Sequence, residues 1–323
     1  MSILVAGGAG FIGSHLCDRL IRDGHHVLCM DNLITGRLTN IHALLDNPRF
    51  SYVHHDAIEE LPALPTVDGI YHLASPASPP AFQRHAIATM RVNGEGTRRL
   101  LDLAVSEGAR FLFASTSEVY GDPLEHPQRE DYRGNVSTTG PRSMYDESKR
   151  YGEALTQAYA EELGVETRIV RIFNTYGPRL GPWDGRVVSN FIVQALANRP
   201  LTIYGDGTQS RSYQYIDDLV EGLVRAMDSP FRGPVNLGNP EEYTVLELAK
   251  LVQSIIESDA GIEFRELPVH DPRLRKPDIE LARVELGWQP RISLPEGLRK
   301  TIEHLRIELA EQDRVLTGAP VRD

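Results

Sequence analysis

Residues 3–13 read ILVAGGAGFIG: a strand-sized apolar run, a cluster of glycines, then the start of a helical pattern. Few folds ask for glycine at Gly7, Gly10 and Gly13 directly after a strand. The spacing by three lets the backbone turn tightly, approach a pyrophosphate closely and pack a helix on a sheet, with that helix's N-terminus facing the phosphates. A Gly-rich loop alone is a weak signal, but here Asp31 closes the next strand-like run, 18 residues after Gly13. A carboxylate at that place accepts hydrogen bonds from an adenosine ribose. It also repels a 2′-phosphate, which selects NAD over NADP.

The pattern continues as alternation. Strands are expected at residues 3–6, 26–31, 50–54, 69–73, 110–115 and 166–173, with helices at 12–22, 81–107 and 143–163. Strands alternating with helices predict an α/β fold, a doubly wound parallel (Rossmann) sheet with helices on both faces. After Asn174 the composition shifts, and Pro, Gly and Arg crowd residues 176–186. Shorter pieces follow: a helix near 188–198, strands at 201–204 and 234–237, and a helix at 217–227. Thr244 and Glu247 form a capping box for a helix through Ser258. A strand at 262–267, a Pro-broken segment at 270–278 and a helix from Leu294 to about Glu311 complete the reading. The expected division is a dinucleotide-binding domain at 1–175, to which 213–240 return, and a smaller C-terminal substrate-binding lobe at 176–212 and 241–312, with 313–323 a loose tail.

Composition narrows the function class. The 323 residues are 41% apolar and 24% charged, ordinary for a globular protein and unlike a disordered or membrane chain. With 34 basic against 45 acidic residues the net charge is −11, which argues against a nucleic-acid partner. A local group of arginines can still bind a small anion. The N-terminus lacks a basic stretch before its apolar run, so it does not read as a signal peptide, and a cytoplasmic protein is expected. Cys17 and Cys29 show no ligand spacing and read as reduced core residues. His54, His55 and Asp56 are sequence neighbours on a strand, whose side chains alternate between faces, so no metal site is expected.

Tyr145 and Lys149 stand a helical turn apart and share a face. A phenol ordinarily titrates near ~10, and a nearby ammonium and nicotinamide cation stabilise its phenolate, making Tyr145 a candidate base. Thr116, at the end of the fifth strand, offers a hydroxyl to hold a sugar or alcohol oxygen beside it. Together with the glycine loop and Asp31, these residues resemble the extended short-chain dehydrogenase/reductase superfamily in its nucleotide-sugar branch. Residues 72–80 (HLASPASPP), 115–123 (STSEVYGDP), 171–179 (RIFNTYGPR), 184–191 (DGRVVSNF), 237–242 (LGNPEE) and 275–279 (RKPDI) resemble the UDP-glucuronate decarboxylases, or UDP-xylose synthases, over residues 2 to about 310.

That resemblance implies a carboxy-lyase with tightly bound NAD. Tyr145 takes the proton of the sugar C4 hydroxyl while NAD accepts the C4 hydride, with Thr116 and Lys149 orienting and polarising; the β-keto acid loses CO2, and reduction at C4 gives UDP-xylose. Glu118 and Arg275 are assigned to carboxylate positioning, water handling and C5 protonation, with Arg275 able to hold the carboxylate bidentately. Ser117 cannot act as the acid that related 4,6-dehydratases need. The cofactor set carried over is Gly7, Gly10, Phe11, Ile12, Gly13, Asp31, Asn32, Thr35, Gly36, Asp56, Ala57, Leu73, Ala74, Ser75, Asn93, Tyr145 and Lys149. For UDP-glucuronate it is Ala77, Ser117, Asn174, Arg179, Val188, Tyr204, Gln209, Arg211 and Arg275. One departure is Ala88, where relatives carry a Lys or Arg; Arg84 and Arg91 lie a turn away on either side. Alternatives are an oxidative decarboxylase that releases UDP-4-keto-pentose and NADH, a 4-epimerase or 4,6-dehydratase of the superfamily, and a silent NAD-binding scaffold. A homodimer paired through the helices that begin near Ala81 and Ser143 is expected by analogy.

Overall fold

Seven parallel strands form one central sheet in the computed structural model, which describes residues 1–266 and 274–317. β1 (Ser2–Ala6), α1 (Phe11–Arg22) and β2 (His26–Asp31) make the first unit, followed by β3 (Phe50–His54) and β4 (Gly69–His72). Helices α2 (Pro79–Arg84), α3 (Ala86–Arg91) and α4 (Thr97–Glu107) lead to β5 (Arg110–Thr116), and α5 (Ser143–Leu163) leads to β6 (Thr167–Ile172). Next come β7 (Thr175–Tyr176), α6 (Val187–Leu196), β8 (Leu201–Tyr204), β9 (Ser210–Ser212), β10 (Gln214–Tyr215), α7 (Ile216–Asp228) and β11 (Pro234–Leu237). The chain continues through β12 (Glu242–Thr244), α8 (Val245–Ile256), β13 (Ile262–Arg265), β14 (Leu274–Arg275), α9 (Glu280–Leu286) and α10 (Leu294–Thr317).

The sheet order is β11-β6-β5-β4-β1-β2-β3. Winding reverses between β1 and β4, and at such a switch point a crevice opens beyond the carboxyl ends of the strands. Both faces of the sheet are covered. Along β1, Ile3 and Val5 join one core with Leu16, Leu20 and Leu223, while Leu4 and Ala6 join the other with Leu100, Leu101 and Phe111. This is the two-residue strand period sorting its side chains between helix layers. The first core runs on through Phe191, Leu248 and Leu298, so the C-terminal elements share it. β11 adds parallel to β6, with Val235 opposite Val170.

The single helix expected over 81–107 is three. His85, at φ −115° and ψ 41°, breaks it between α2 and α3, and a π-helical turn at Val92–Gly96 separates α3 from α4. Two glycines in that turn, Gly94 and Gly96, lower helix propensity, and the wide turn buries Asn93. At the C-terminus α10 continues to Thr317, beyond the end expected near Glu311. The capping box forms as expected, Thr244 Oγ1 accepting from the Glu247 amide and the Glu247 carboxylate from the Thr244 amide. Residues 267–273, which include the last residue of the expected 262–267 strand and the first four of the Pro-broken segment, lie outside the described residues.

Helix α5 lies against β5 through Gly152, where an added Cβ would meet Phe113 Cζ at 2.3 Å. The lack of a side chain there sets how close α5, with Tyr145 and Lys149, sits to the sheet. Gly152→Ala gains helix propensity but overpacks a close contact. A net loss of about 2 kcal/mol is expected, read as a lower urea midpoint with an unchanged m-value.

Candidate active site

The dinucleotide cradle is built by exclusion of side chains. Gly7 takes φ +82°, and a Cβ there would meet the Ala74 amide nitrogen at 2.6 Å; at Gly13 it would meet the Gly7 carbonyl oxygen at 2.1 Å. Only glycine lets the turn, the helix start and the strand β4 exit close up this far. Asp31 accepts the Ala9 and Leu33 amides at 2.9 and 2.8 Å. Burial pushes its carboxyl above the usual range, and those amides pull it partly back. Asn32 Nδ2 donates to Asp56 at 2.8 Å, which joins the exits of β2 and β3. Gly36 is pressed on Asp31, with a Cβ site 2.7 Å from its Oδ1.

Gly7, Gly10, Asp31, Asn32, Thr35, Asp56, Ala57, Leu73, Ala74 and Ser75 line one cavity over the switch point. Phe11, Ile12 and Gly13 face a larger cleft of about 650 Å³ that also reaches Tyr145 and Lys149. A glycine cradle too tight for any Cβ, a strand-end carboxylate and a continuous path to the Tyr–Lys pair fit a nicotinamide dinucleotide. Asn93 does not line either space. It sits behind, its Nδ2 donating to Ser75 Oγ at 3.2 Å and to Ser148 Oγ at 3.0 Å, and so braces the cradle against α5. Among the described residues no group of three His, Cys, Asp or Glu could hold a metal ion.

The reacting end of the cleft forms where β5 runs out. Thr116 Oγ1 accepts the Glu118 amide at 3.2 Å, and its hydroxyl acts on the neighbouring Tyr145 phenol to lower its titration. Lys149 Nζ donates to the Ala114 carbonyl at 2.8 Å and lies 5.9 Å from the Tyr145 ring centre. Burial pushes the phenol up to about 12, against the pull of Thr116, while Glu118 raises it and Arg186 lowers it. Burial also brings the Lys149 ammonium down to about 7, partly opposed by Glu153. Without bound ligands Tyr145 is therefore a phenol. The phenolate expected from its Lys neighbour needs further positive charge.

Glu118 sits in the turn after β5 between two guanidinium groups, 2.7 Å from Arg142 Nη2 and 3.1 Å from Arg275 Nη1. Burial alone would raise its carboxyl, but Arg275 and Arg142 outweigh that and hold it at about 2. Arg275 also donates to Ser117 Oγ at 2.9 Å and to the Gly121 carbonyl at 3.0 Å. Its terminal nitrogens thus bond to acceptors of the protein itself, at the residue expected to grip a substrate carboxylate bidentately. Its Nε is buried without a partner. Ser117 Oγ accepts from that guanidinium and keeps its own O–H, but an alcohol is far too weak an acid to replace a carboxylic acid there.

The other expected substrate residues divide. Ala77, Ser117, Asn174, Arg179, Arg211 and Arg275 line the large cleft, although Arg179 is paired with Asp18 at 2.7 Å. Val188 is buried in the core of α6, and Tyr204 and Gln209, joined by a 2.6 Å hydrogen bond, lie off the cleft lining. Ala88 faces the dinucleotide cavity; Arg84 lines the cleft, and Arg91 is paired with Glu95 on the surface. Sequence reasoning missed Arg142 and Arg186. Arg142 precedes Tyr145 by three, so the helical spacing that linked Tyr145 to Lys149 could have found it. Arg186, paired with Asp184, stands in one of the matched motifs and carried no separate signal.

Residues 3–243 match the NAD dependent epimerase/dehydratase family. UDP-glucuronic acid decarboxylase 1 of Arabidopsis thaliana is 53% identical over 313 residues, which cover 97% of this chain and 72% of that protein. Among solved structures, UDP-glucose 4-epimerase of Thermotoga maritima with UDP-glucose superposes with a TM-score of 0.89 at 32% identity, covering 96% of this chain and all of that one. UDP-glucuronic acid 4-epimerase of Bacillus cereus, in complex with UDP-glucuronic acid and NAD, gives 0.86 at 30% identity over 95% of this chain and 100% of its own. A glycine cradle with its strand-end Asp31, a Thr116–Tyr145–Lys149 constellation and this likeness along nearly the whole length agree: the chain belongs to the NAD dependent epimerase/dehydratase family and, within it, to the UDP-glucuronic acid decarboxylases.

Proposed function

We propose that this protein converts UDP-glucuronate to UDP-xylose and CO2 without net oxidation. The observation that carries the reading is the Glu118–Arg142–Arg275 cluster beside Thr116 and Tyr145. Two guanidinium groups converge on one carboxylate beside the base, with Asp146 4.0 Å from Arg142, a concentration of arginine suited to a sugar acid and not needed for a neutral hexose. Tyr145 removes the C4 hydroxyl proton while Thr116 holds the same oxygen. Gly7, Gly10, Gly13 and Asp31 would hold NAD, which would supply reversible hydride acceptance at C4. The C4 ketone is β to the carboxylate, so loss of CO2 moves the bonding pair onto the C4 oxygen. Tyr145, now protonated, and Thr116 donate to that oxygen as its charge grows. Glu118 stays ionised between its arginines, which suits it to ordering water near C5; that water gives C5 the proton that replaces CO2, after which C4 is reduced again and Tyr145 returns its proton to the C4 oxygen. Ser117, an alcohol where a dehydratase would need a carboxylic acid, disfavours the dehydratase alternative.

Two finer points complete the proposal. On α3 and α5, Ile87, Met90 and Tyr151 are 77%, 51% and 56% exposed, an apolar face fitted to a second copy of the chain as a homodimer. The two buried thiols, both unpaired, fit a reducing compartment, and we assign the protein to the cytoplasm. No helix among the described residues is long and apolar enough to cross a membrane.

Incubation with UDP-glucuronate and a trace of NAD should yield UDP-xylose by NMR without lasting 340 nm absorbance. Stoichiometric NADH without UDP-xylose would instead establish the oxidative reaction. Tyr145→Phe should cut kcat by roughly a hundredfold or more. Glu118→Gln tests the cluster's electrostatics. A folded carboxyl at about 2 against an ordinary 4.5 contributes stability that is in place above 4.5 and lost as the pH falls toward 2. The variant should be less stable at pH 7, where two arginines lose their counter-charge, and should show a shallower acid decline in urea unfolding. Ile87→Glu with Met90→Glu should halve the sedimenting mass.

A further inference from the structure

Tyr145 is fixed at its backbone by α5, but a tyrosine ring turns about a terminal torsion with broad, two-fold preference, so helix geometry does not set the ring plane. A neighbour must. The Phe82 ring lies parallel to it, centres 5.0 Å apart and planes 7° from each other. Phe82 is 1% exposed, so it is packed against this face and does not swing in solvent. Its helix α2 has six residues, too few to hold itself in water. Instead the Arg142 guanidinium carbon stands 5.4 Å from the Phe82 ring centre, a cation over an aromatic face. Arg142 is in turn held 2.7 Å from Glu118. A continuous stack therefore runs from Glu118 through Arg142 and Phe82 to Tyr145.

We propose that Phe82 is a positioning residue for the reaction, setting the plane and hence the hydroxyl direction of Tyr145 by ring stacking from a helix that Arg142 anchors. This deepens the assignment of Tyr145 as the base and rests on it. The stack has two separable effects. Its flat face orients the phenol toward Thr116, and its apolar body keeps water off the ring. Orientation governs how well the base meets its proton, where a displacement of about 1 Å can cost up to a hundredfold in rate. Water exclusion governs the phenol's ionisation, along with the charges that face it: Glu118 and Asp146 raise it and Arg186 lowers it. None of those groups is altered by changing Phe82.

Three variants of the NAD-loaded protein separate these effects: Phe82→Ala, Phe82→Leu and Phe82→Tyr. Leu keeps an apolar cover but no flat face. Tyr restores the ring. Phe82→Ala and Phe82→Leu should lose about tenfold to a hundredfold in kcat, with KM for UDP-glucuronate within about threefold of wild type. Phe82→Tyr should stay within about threefold in both. The Tyr145 ionisation, followed as phenolate absorbance against a Tyr145→Phe reference, should move to lower pH in Phe82→Ala as water enters and hold still in Phe82→Leu. A Phe82→Leu enzyme with wild-type kcat would overturn the proposal, since filling the space would then suffice. So would losses confined to KM, which would make Phe82 a substrate contact. The absorbance titration needs no sugar, so a wild-type protein that leaves UDP-glucuronate unchanged would sink the decarboxylase reading while the stack itself remained measurable.

Discussion

The ion cluster at Glu118 ties the molecule together. Glu118 follows β5, Arg142 precedes α5 in the long connection after it, and Arg275 lies on β14, which pairs with β9 outside the central sheet. Three charges from three separate parts of the chain meet in a site where water is scarce. Burying them is costly, and the attraction repays that cost only because both guanidinium groups reach one carboxylate and Arg275 finds further acceptors at Ser117 and Gly121. Loss of any one member would strand the others. The cluster therefore fixes how the C-terminal elements sit on the carboxyl ends of β5 and β6, and with them the wall of the cleft.

Electrostatically, the protein spends most of its cleft arginines on itself. Arg37 is paired with Glu308, Arg179 with Asp18 and Arg186 with Asp184. At Glu118, unlike these three, two guanidinium groups share a single carboxylate, and Asp146 beside them is pushed by burial and by Glu118 up to about 7. A chain with a net charge of −11 thus gathers guanidinium groups at the end of the cleft where Tyr145 lies. Overall charge acts on association and solubility, whereas the local field of a dry cleft acts on a bound group.

How much of this could be read beforehand follows from what each feature depends on. The glycine cradle, Asp31 and the parallel sheet were legible because backbone sterics and strand period are local, and Gly7 has no alternative residue at its φ. The break of the 81–107 helix was not. Its apolar spacing fits one helix, and the π-helical turn exists because Asn93 is drawn inward to Ser75 and Ser148, contacts from β4's exit and α5. Tyr145, Lys149 and Thr116 were legible as chemistry. Arg275 was legible as a participant but not in its role, because its neighbours Ser117 and Gly121 are more than 150 residues away. Arg142 failed to register since a lone arginine before a helix looks like surface.

Dryness has opposite consequences for the two members of the Tyr-x-x-x-Lys pair. It pushes the Tyr145 phenol up to about 12 and the Lys149 ammonium down to about 7. Both shifts resist charge, and both leave the pair nearer neutral than its parts would be in water. A site so arranged is a poor base by itself. Yet the low polarity that suppresses the phenolate also magnifies the effect of any positive charge brought beside it. Proton removal is thereby made conditional on an assembled complex, and a phenol held in plane by Phe82 and beside Thr116 is ready at that moment without reorganisation. The cost of burying Tyr145 and Lys149 is what confines the chemistry to the ligand-filled cleft.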